Sequence, residues 1–218
     1  MGRNKKYENS HDVIVEVAER LFSQYGYERT TVDDIAKEAL LGKASVYKEF
    51  QSKDDIWVAV VIRHAQATNV EMSRLATLAD TKKTKILPVV ADVLMVQLLR
   101  IFDHVMQHVH GSQIVAGQGL GTLPPPIPPP NPKTMQKILP YMQEADRIIT
   151  GLLKKAAENG EIPLSSDCEQ LTMFLRRGLA GYLPPHIMHF PKSRELFEAE
   201  ARQMIDILLT GIKEQGAE

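Results

Sequence analysis

Lys43, Ser45, Tyr47 and Lys48 carry ammonium, hydroxyl and phenol groups within one short stretch. Val46 and Phe50, at i and i+4 among them, are apolar, so a helix here turns those two inward and leaves the polar groups outward. A short helix with cations and hydroxyls on its free face fits the DNA major groove, where such groups meet phosphates and base edges. On this reading Lys43, Ser45 and Lys48 are candidates for base edges, Ala44 lies near a thymine methyl, and Thr31, Tyr47 and Lys53 are candidates for phosphates. Each lysine taken alone reads as an ordinary solvated residue; its place on this motif is what argues for contact.

Two further segments must position that helix. Thr31 is placed to cap a helix whose first turn holds Asp33 and Asp34, where negative charge suits the dipole. Val32, Ile35, Ala36 and Ala39 share one face of it. Upstream, Ile14, Ala18, Leu21, Phe22 and Tyr25 form another helical stripe, and Gly26 stands where a glycine ends a helix. The three segments predict a three-helix unit closing on a helix-turn-helix.

Residues 12–57 resemble the N-terminal domain of the TetR family of bacterial transcriptional regulators. The resemblance is carried by Ala18, Leu21, Phe22, Gly26, Tyr27, Thr30, Thr31, Val32, Ile35, Ala36, Ala39, Lys43, Val46, Tyr47, Phe50, Ser52, Lys53 and Ile56 at fixed spacing. Three positions depart from the family pattern. Leu40 stands where the family usually has a turn glycine and must accept a conformation glycine adopts without steric penalty. Gly42 replaces a serine-like cap and caps less strongly. Glu49 stands where an aromatic or histidine is frequent; a carboxylate there is repelled by phosphate unless it reads a cytosine amino group or turns away.

Bulk properties bound the reading. At 218 residues the chain can bury a sizeable core, and a formal charge of −1 offers no general attraction to DNA. Any footprint is local: Arg3, Lys5 and Lys6 in a polar arm over 1–11, then Lys43, Lys48 and Lys53. The one cysteine, Cys168, cannot form an internal disulfide. The N-terminus is polar and reads as no secretory leader, and the apolar stretch 86–109 is broken by Asp92, Gln97, Arg100, Asp103 and His104. A cytoplasmic protein with no membrane partner is expected.

Residues 58–218 are expected to form a second, helical domain. Ser52 caps a helix from about Lys53, which in the family links the two domains. Helices are expected over 86–110, from Tyr141 to Asn159, from Ser165 to Leu183 where Pro184 and Pro185 stop it, and over 193–213. Pro124 to Pro130 reads as a stiff extended connector or, alternatively, as a lid or docking segment. The last two helices carry Leu175, Leu179, Tyr182, Met204, Ile205 and Leu208, an apolar set suited either to packing within the domain or to a dimer. The family pairs these helices in a four-helix bundle. A dimer would set two reading helices about one turn of DNA apart on a pseudo-palindromic operator in double-stranded DNA.

No phosphate loop, nucleophile elbow or zinc-ligand spacing appears, so no catalytic residue, metal or cofactor is expected. His104 and His108 lack an assured third ligand, His186 and His189 offer no better set, and Cys168 is flanked by Asp167 and Glu169, which disfavours a thiolate. Met95, Phe102, Met106, Met135, Met142, Met173 and Phe174 are soft, adaptable groups that could line a small-molecule pocket or simply fill a core. The expectation is therefore an all-α protein: a homodimeric, sequence-specific DNA-binding repressor released by a small apolar or aromatic effector, as the family's members are released. The rivals are a DNA-binding regulator governed by a protein partner and, more remotely, an all-helical enzyme.

Overall fold

The computed structural model describes residues 10–80, 85–111, 132–189 and 193–214, with side-chain surroundings described for these except 80, 104–111, 134, 180–189 and 214. Among the described residues all regular structure is helical: α1 (Ser10–Tyr25), α2 (Val32–Glu38), α3 (Lys43–Glu49), α4 (Lys53–Thr77) with a 3₁₀ turn at Leu78–Asp80, α5 (Ile86–Gly111), α6 (Pro132–Glu158), α7 (Cys168–His189) and α8 (Arg194–Glu214). Two compact units result, Met1–His64 with His104–Pro140, and Ala65–Asp103 with Tyr141–Glu218.

The first unit closes on the stripes read above. Ile14, Ala18, Leu21 and Phe22 of α1 meet Ile35 and Ala36 of α2, Val46 of α3, and Ile56, Trp57 and Val60 of α4 in one buried cluster. Phe22 meets Trp57 edge-on at 5.5 Å between centroids. Each large side chain buried there contributes about 1.5–3 kcal/mol, and a Phe22→Ala cavity costs about 3–5 kcal/mol. α1 stops where Gly26 takes φ +83° and its N–H donates to the Phe22 carbonyl at 2.9 Å. Ser10 and His11, expected in the polar arm over 1–11, belong to α1; Arg3, Lys5 and Lys6 lie outside the described residues.

In the second unit Glu161 caps α5 from the α6–α7 turn. Its carboxylate accepts from the Ile86 and Leu87 N–H groups at 2.6 and 3.1 Å, two of the donors that a helix start leaves unbonded. Gly160, at φ +72°, makes that turn: its N–H donates to Ala157 and that of Glu161 to Ala156, which closes α6. Phe102 stacks on Phe197 at 4.2 Å, joining α5 to α8.

At prolines, two helix boundaries differ from expectation by several residues. α6 starts at Pro132 rather than Tyr141 and passes through Pro140. Proline suits a first helical position, and burial of Ile138 and Ala145 on either side of Pro140 offsets one missing backbone bond. α7 does not stop at Pro184-Pro185 but runs to His189. Proline fixes φ near the helical value, which lets the helix continue through the pair at the loss of backbone bonds. The segment 124–130 lies outside the described residues, as do the side chains of His104, His108, His186 and His189. Among the described residues no helix is long and apolar enough to cross a membrane.

Candidate nucleic-acid interface

The helix-turn-helix is built from α2, a tight turn and α3. Thr31 opens α2 with a reciprocal cap: its hydroxyl accepts from the Asp34 N–H at 3.1 Å, and its own N–H donates to Asp34 Oδ2 at 2.9 Å. A bond from the Thr31 hydroxyl to the Asp34 carboxylate, followed by that from the Thr31 N–H, lowers the Asp34 pKa. Since the Thr31 hydroxyl also donates to Asp34 at 2.6 Å, it is engaged within its own turn.

α2 ends in the left-handed residue that the departure at position 40 foreshadows. Leu40 has φ +55°, the one positive φ of a non-glycine residue among those described. Its N–H donates to Lys37 and that of Leu41 to Ala36, a closure that requires a left-handed residue at this point. Leu41 tucks against the core while Leu40 is 79% exposed, so Leu40 gains little burial in return for its backbone conformation.

α3 begins without a side-chain cap at Gly42. Val46 is fully buried and Phe50 nearly so, which turns Lys43, Ala44, Tyr47 and Lys48 to solvent with Ser45 half-buried. All five read as candidates from sequence share this free side. Glu49 turns away: its carboxylate accepts from the Ser10 hydroxyl at 2.8 Å. Lys43 is not free in the unbound protein. Its Nζ lies 2.8 Å from Asp33 Oδ1 and 2.9 Å from Oδ2, which raises the ammonium's pKa.

Lys53 donates to the Tyr27 carbonyl at 2.9 Å and sits 4.1 Å over the Tyr27 ring, keeping two further donors. The Tyr27 hydroxyl donates to Asp54, and burial followed by that bond pushes its phenol well above the usual range. Lys53 and Asp54 thus grip the α1–α2 turn from the first turn of α4. Asp33, Ser10 and Tyr27 were not singled out from sequence for these contacts. Only Asp33 left a signal, an acid and a base each in the first turn of adjoining short helices.

The model of the bacterial regulatory proteins of the tetR family matches residues 14–60. Those limits, Ile14 and Val60, are also the first and last members of the buried cluster that holds the helix-turn-helix together. Over residues 14–60 the chain is similar to the tetR family. The biofilm operon icaADBC negative transcriptional regulator IcaR of Staphylococcus aureus is 50% identical over 46 residues, 21% of this chain and 25% of that protein. The match therefore spans about a quarter of that curated relative's length. A transcriptional regulator of Cytophaga hutchinsonii has the same fold at a TM-score of 0.70 and 17% identity, over 94% of this chain and 99% of that one. The regulator FadR of Bacillus subtilis, solved in complex with stearoyl-CoA, gives 0.65 at 18% identity, over 92% and 98%.

Outside the part matched by the tetR model, the expected pocket residues differ in burial. Met95 and Phe102 are core residues, Met142 is half-buried, and Phe174 is 55% exposed. Met135 is exposed at the start of α6, and the Met106 side chain lies outside the described residues. Met173 lines a groove of about 860 Å³ between α6 and α7, with Arg147, Thr150, Lys154, Thr172 and Arg176. Arg176 is held there by Asp146 at 2.6 Å. Cys168 is buried, and burial raises its thiol pKa, which disfavours the reactive thiolate.

Of the expected dimer residues, Leu175, Leu179 and Ile205 are buried within the chain itself, whereas Met204 and Leu208 are half-buried. The Tyr182 side chain lies outside the described residues. Leu208 packs over Gly178, where an added Cβ would make ordinary contact with its methyl groups at 3.5 and 3.8 Å. Phe174, one turn before Gly178, and Ile207, beside Leu208, are 55% and 65% exposed.

Proposed function

We propose that this chain is a sequence-specific DNA-binding transcriptional regulator, a homodimeric repressor released from a pseudo-palindromic operator by a small apolar or aromatic effector. The observation that carries it is the free side of α3, where Lys43, Ala44, Tyr47 and Lys48 project from a helix anchored by Val46 and Phe50. Its reading head is the domain 12–57, and 58–218 receives effector and partner. Lys43, Ser45 and Lys48 take base edges, with Ala44 at a thymine methyl; Tyr47, Lys53 and Thr31 take phosphates.

The repressor sense is supported by IcaR, a negative regulator, at half-identical residues in the reading head. The effector is supported by FadR of Bacillus subtilis, solved in complex with stearoyl-CoA. A dimer is supported by exposed Phe174 and Ile207 flanking the Gly178–Leu208 contact, an apolar edge that a two-fold axis would cover. Release requires the effector to bind the DNA-incompetent arrangement more tightly than the competent one.

Selection of bound sequences from random duplex DNA by the purified protein tests this reading. An enriched pseudo-palindrome, lost in Lys43→Ala and Tyr47→Ala variants that still fold, is the expected result. Weak, salt-sensitive retention with no enriched sequence would overturn it.

A further inference from the structure

Lys53, at the start of α4, is held in the unbound protein by groups that leave its charge intact. Its ammonium donates to the Tyr27 carbonyl at 2.9 Å and stands 4.1 Å from the centroid of the Tyr27 ring. A carbonyl and a π-face attract a cation without neutralising it, and the carbonyl takes only one of three N–H donors. Lys43, by contrast, faces a carboxylate. The ring under Lys53 is itself fixed. Its centroid lies 5.4 Å from that of Phe22 and 5.8 Å from that of Trp57, and its hydroxyl donates to Asp54. Phe22 and Trp57 are buried, so the platform is anchored in the core of the first unit although it belongs to the turn between α1 and α2.

Resting on the reading of Lys53 as a phosphate contact, we propose that Tyr27 is a positioning residue that holds the Lys53 ammonium ready for a DNA phosphate. A lysine side chain free in solvent gives up rotamers when it grips a phosphate, and that ordering weakens binding. Lys53 has already given up much of that freedom on folding. The contacts that hold it need not break when DNA arrives, because the ammonium keeps further donors for a phosphate oxygen. A phosphate contact carries no sequence information. Tyr27 therefore strengthens binding to every duplex alike and leaves the choice of bases to α3.

The test compares wild type, Tyr27→Leu, Tyr27→Phe, Lys53→Ala and the Tyr27→Leu/Lys53→Ala double variant on a random duplex and on the selected operator, each across a salt series. Lys53→Ala is expected to flatten the log–log salt slope by about 0.9 for each reading head bound. Tyr27→Leu is expected to weaken binding about two- to tenfold per head, the cost of ordering a long side chain, with the slope kept because the charge remains. That loss should be equal on both duplexes and absent once Lys53 is alanine. Tyr27→Phe, which keeps the ring, should recover most of it. A loss confined to the operator, or one that persists undiminished without Lys53, makes Tyr27 a support of the fold alone and overturns the proposal. Should Tyr27→Leu not fold, nuclear magnetic resonance of wild type decides: the Lys53 ε-methylene protons are expected upfield in the free protein and on DNA, shifted by the ring current of Tyr27. Unshifted protons in either state overturn the proposal. Unaltered affinity and slope in Lys53→Ala would sink the reading of Lys53 as a phosphate contact and the proposal with it. A loss in Lys53→Ala with none in a folded Tyr27→Leu sinks the proposal alone.

Discussion

Ser10, the first residue of α1, donates its hydroxyl proton to Glu49, the last residue of α3, across 2.8 Å. The bond joins the two ends of the α1–α3 unit, and Ser10 is buried beneath it. It also answers the difficulty that a carboxylate at position 49 raises near phosphates, because the group is turned onto α1. Removing the acceptor should therefore be felt as stability. Glu49→Ala is expected to destabilise the unit by about 1 kcal/mol, with Glu49→Gln losing less because it keeps an acceptor. Urea denaturation of the three proteins measures this; equal loss in both variants would deny the bond its role.

Leu40 occupies left-handed backbone at φ +55° with most of its side chain in water. Leucine holds that conformation at a penalty of about 1–2 kcal/mol, which glycine escapes. Leu40→Gly should raise the stability of the folded unit by up to about 1 kcal/mol, the gain being reduced by glycine's greater freedom in the unfolded chain. Calorimetry would register this as an increase in Tm.

Acidification should weaken the first unit through Asp55. Lys137, at 2.6 Å, lowers the Asp55 pKa most, and the Ser52 hydroxyl and the α4 cap assist. A carboxyl whose folded pKa is depressed contributes stability that is full above its unfolded value and is lost as pH falls through the folded one. The difference in unfolding free energy between wild type and Asp55→Asn should be constant above about pH 5 and shrink below about pH 4. A difference independent of pH from 3 to 7, each value approximate, would count against this pair.

Phe174→Glu and Ile207→Lys are expected to shift a dimer toward monomer in sedimentation while the far-ultraviolet helical signal is retained. Both side chains are exposed in the single chain, so the protomer should change by no more than about 0.5 kcal/mol. A charge at Leu208 is a less clean probe, since Leu208 also packs on Gly178 within the chain. An unaltered dimer in both exposed-site variants would place the interface elsewhere.

Much of the reading head is legible without coordinates because its determinants are local. The Ile14–Tyr25 stripe, the Thr31 cap, the Gly26 stop and the Val46/Phe50 anchor all follow from helical periodicity and backbone sterics, which act within a few residues. Even the left-handed Leu40 follows, since a short turn between two helices demands it. What only the tertiary structure decided is where side chains from separate segments meet. Lys43 is held by Asp33, Lys53 by Tyr27, and Glu49 by Ser10, all contacts across turns or between helices that no periodicity encodes. The soft residues of the second unit differ for the same reason. Met95 and Phe102 share a type with Met173 and Phe174, but two are buried and two exposed. A helix repeat says which residues share a face; only packing decides which neighbour covers it. The prolines at 140 and 184–185 add the converse lesson, for there a strong local preference yielded to the path of the surrounding helix.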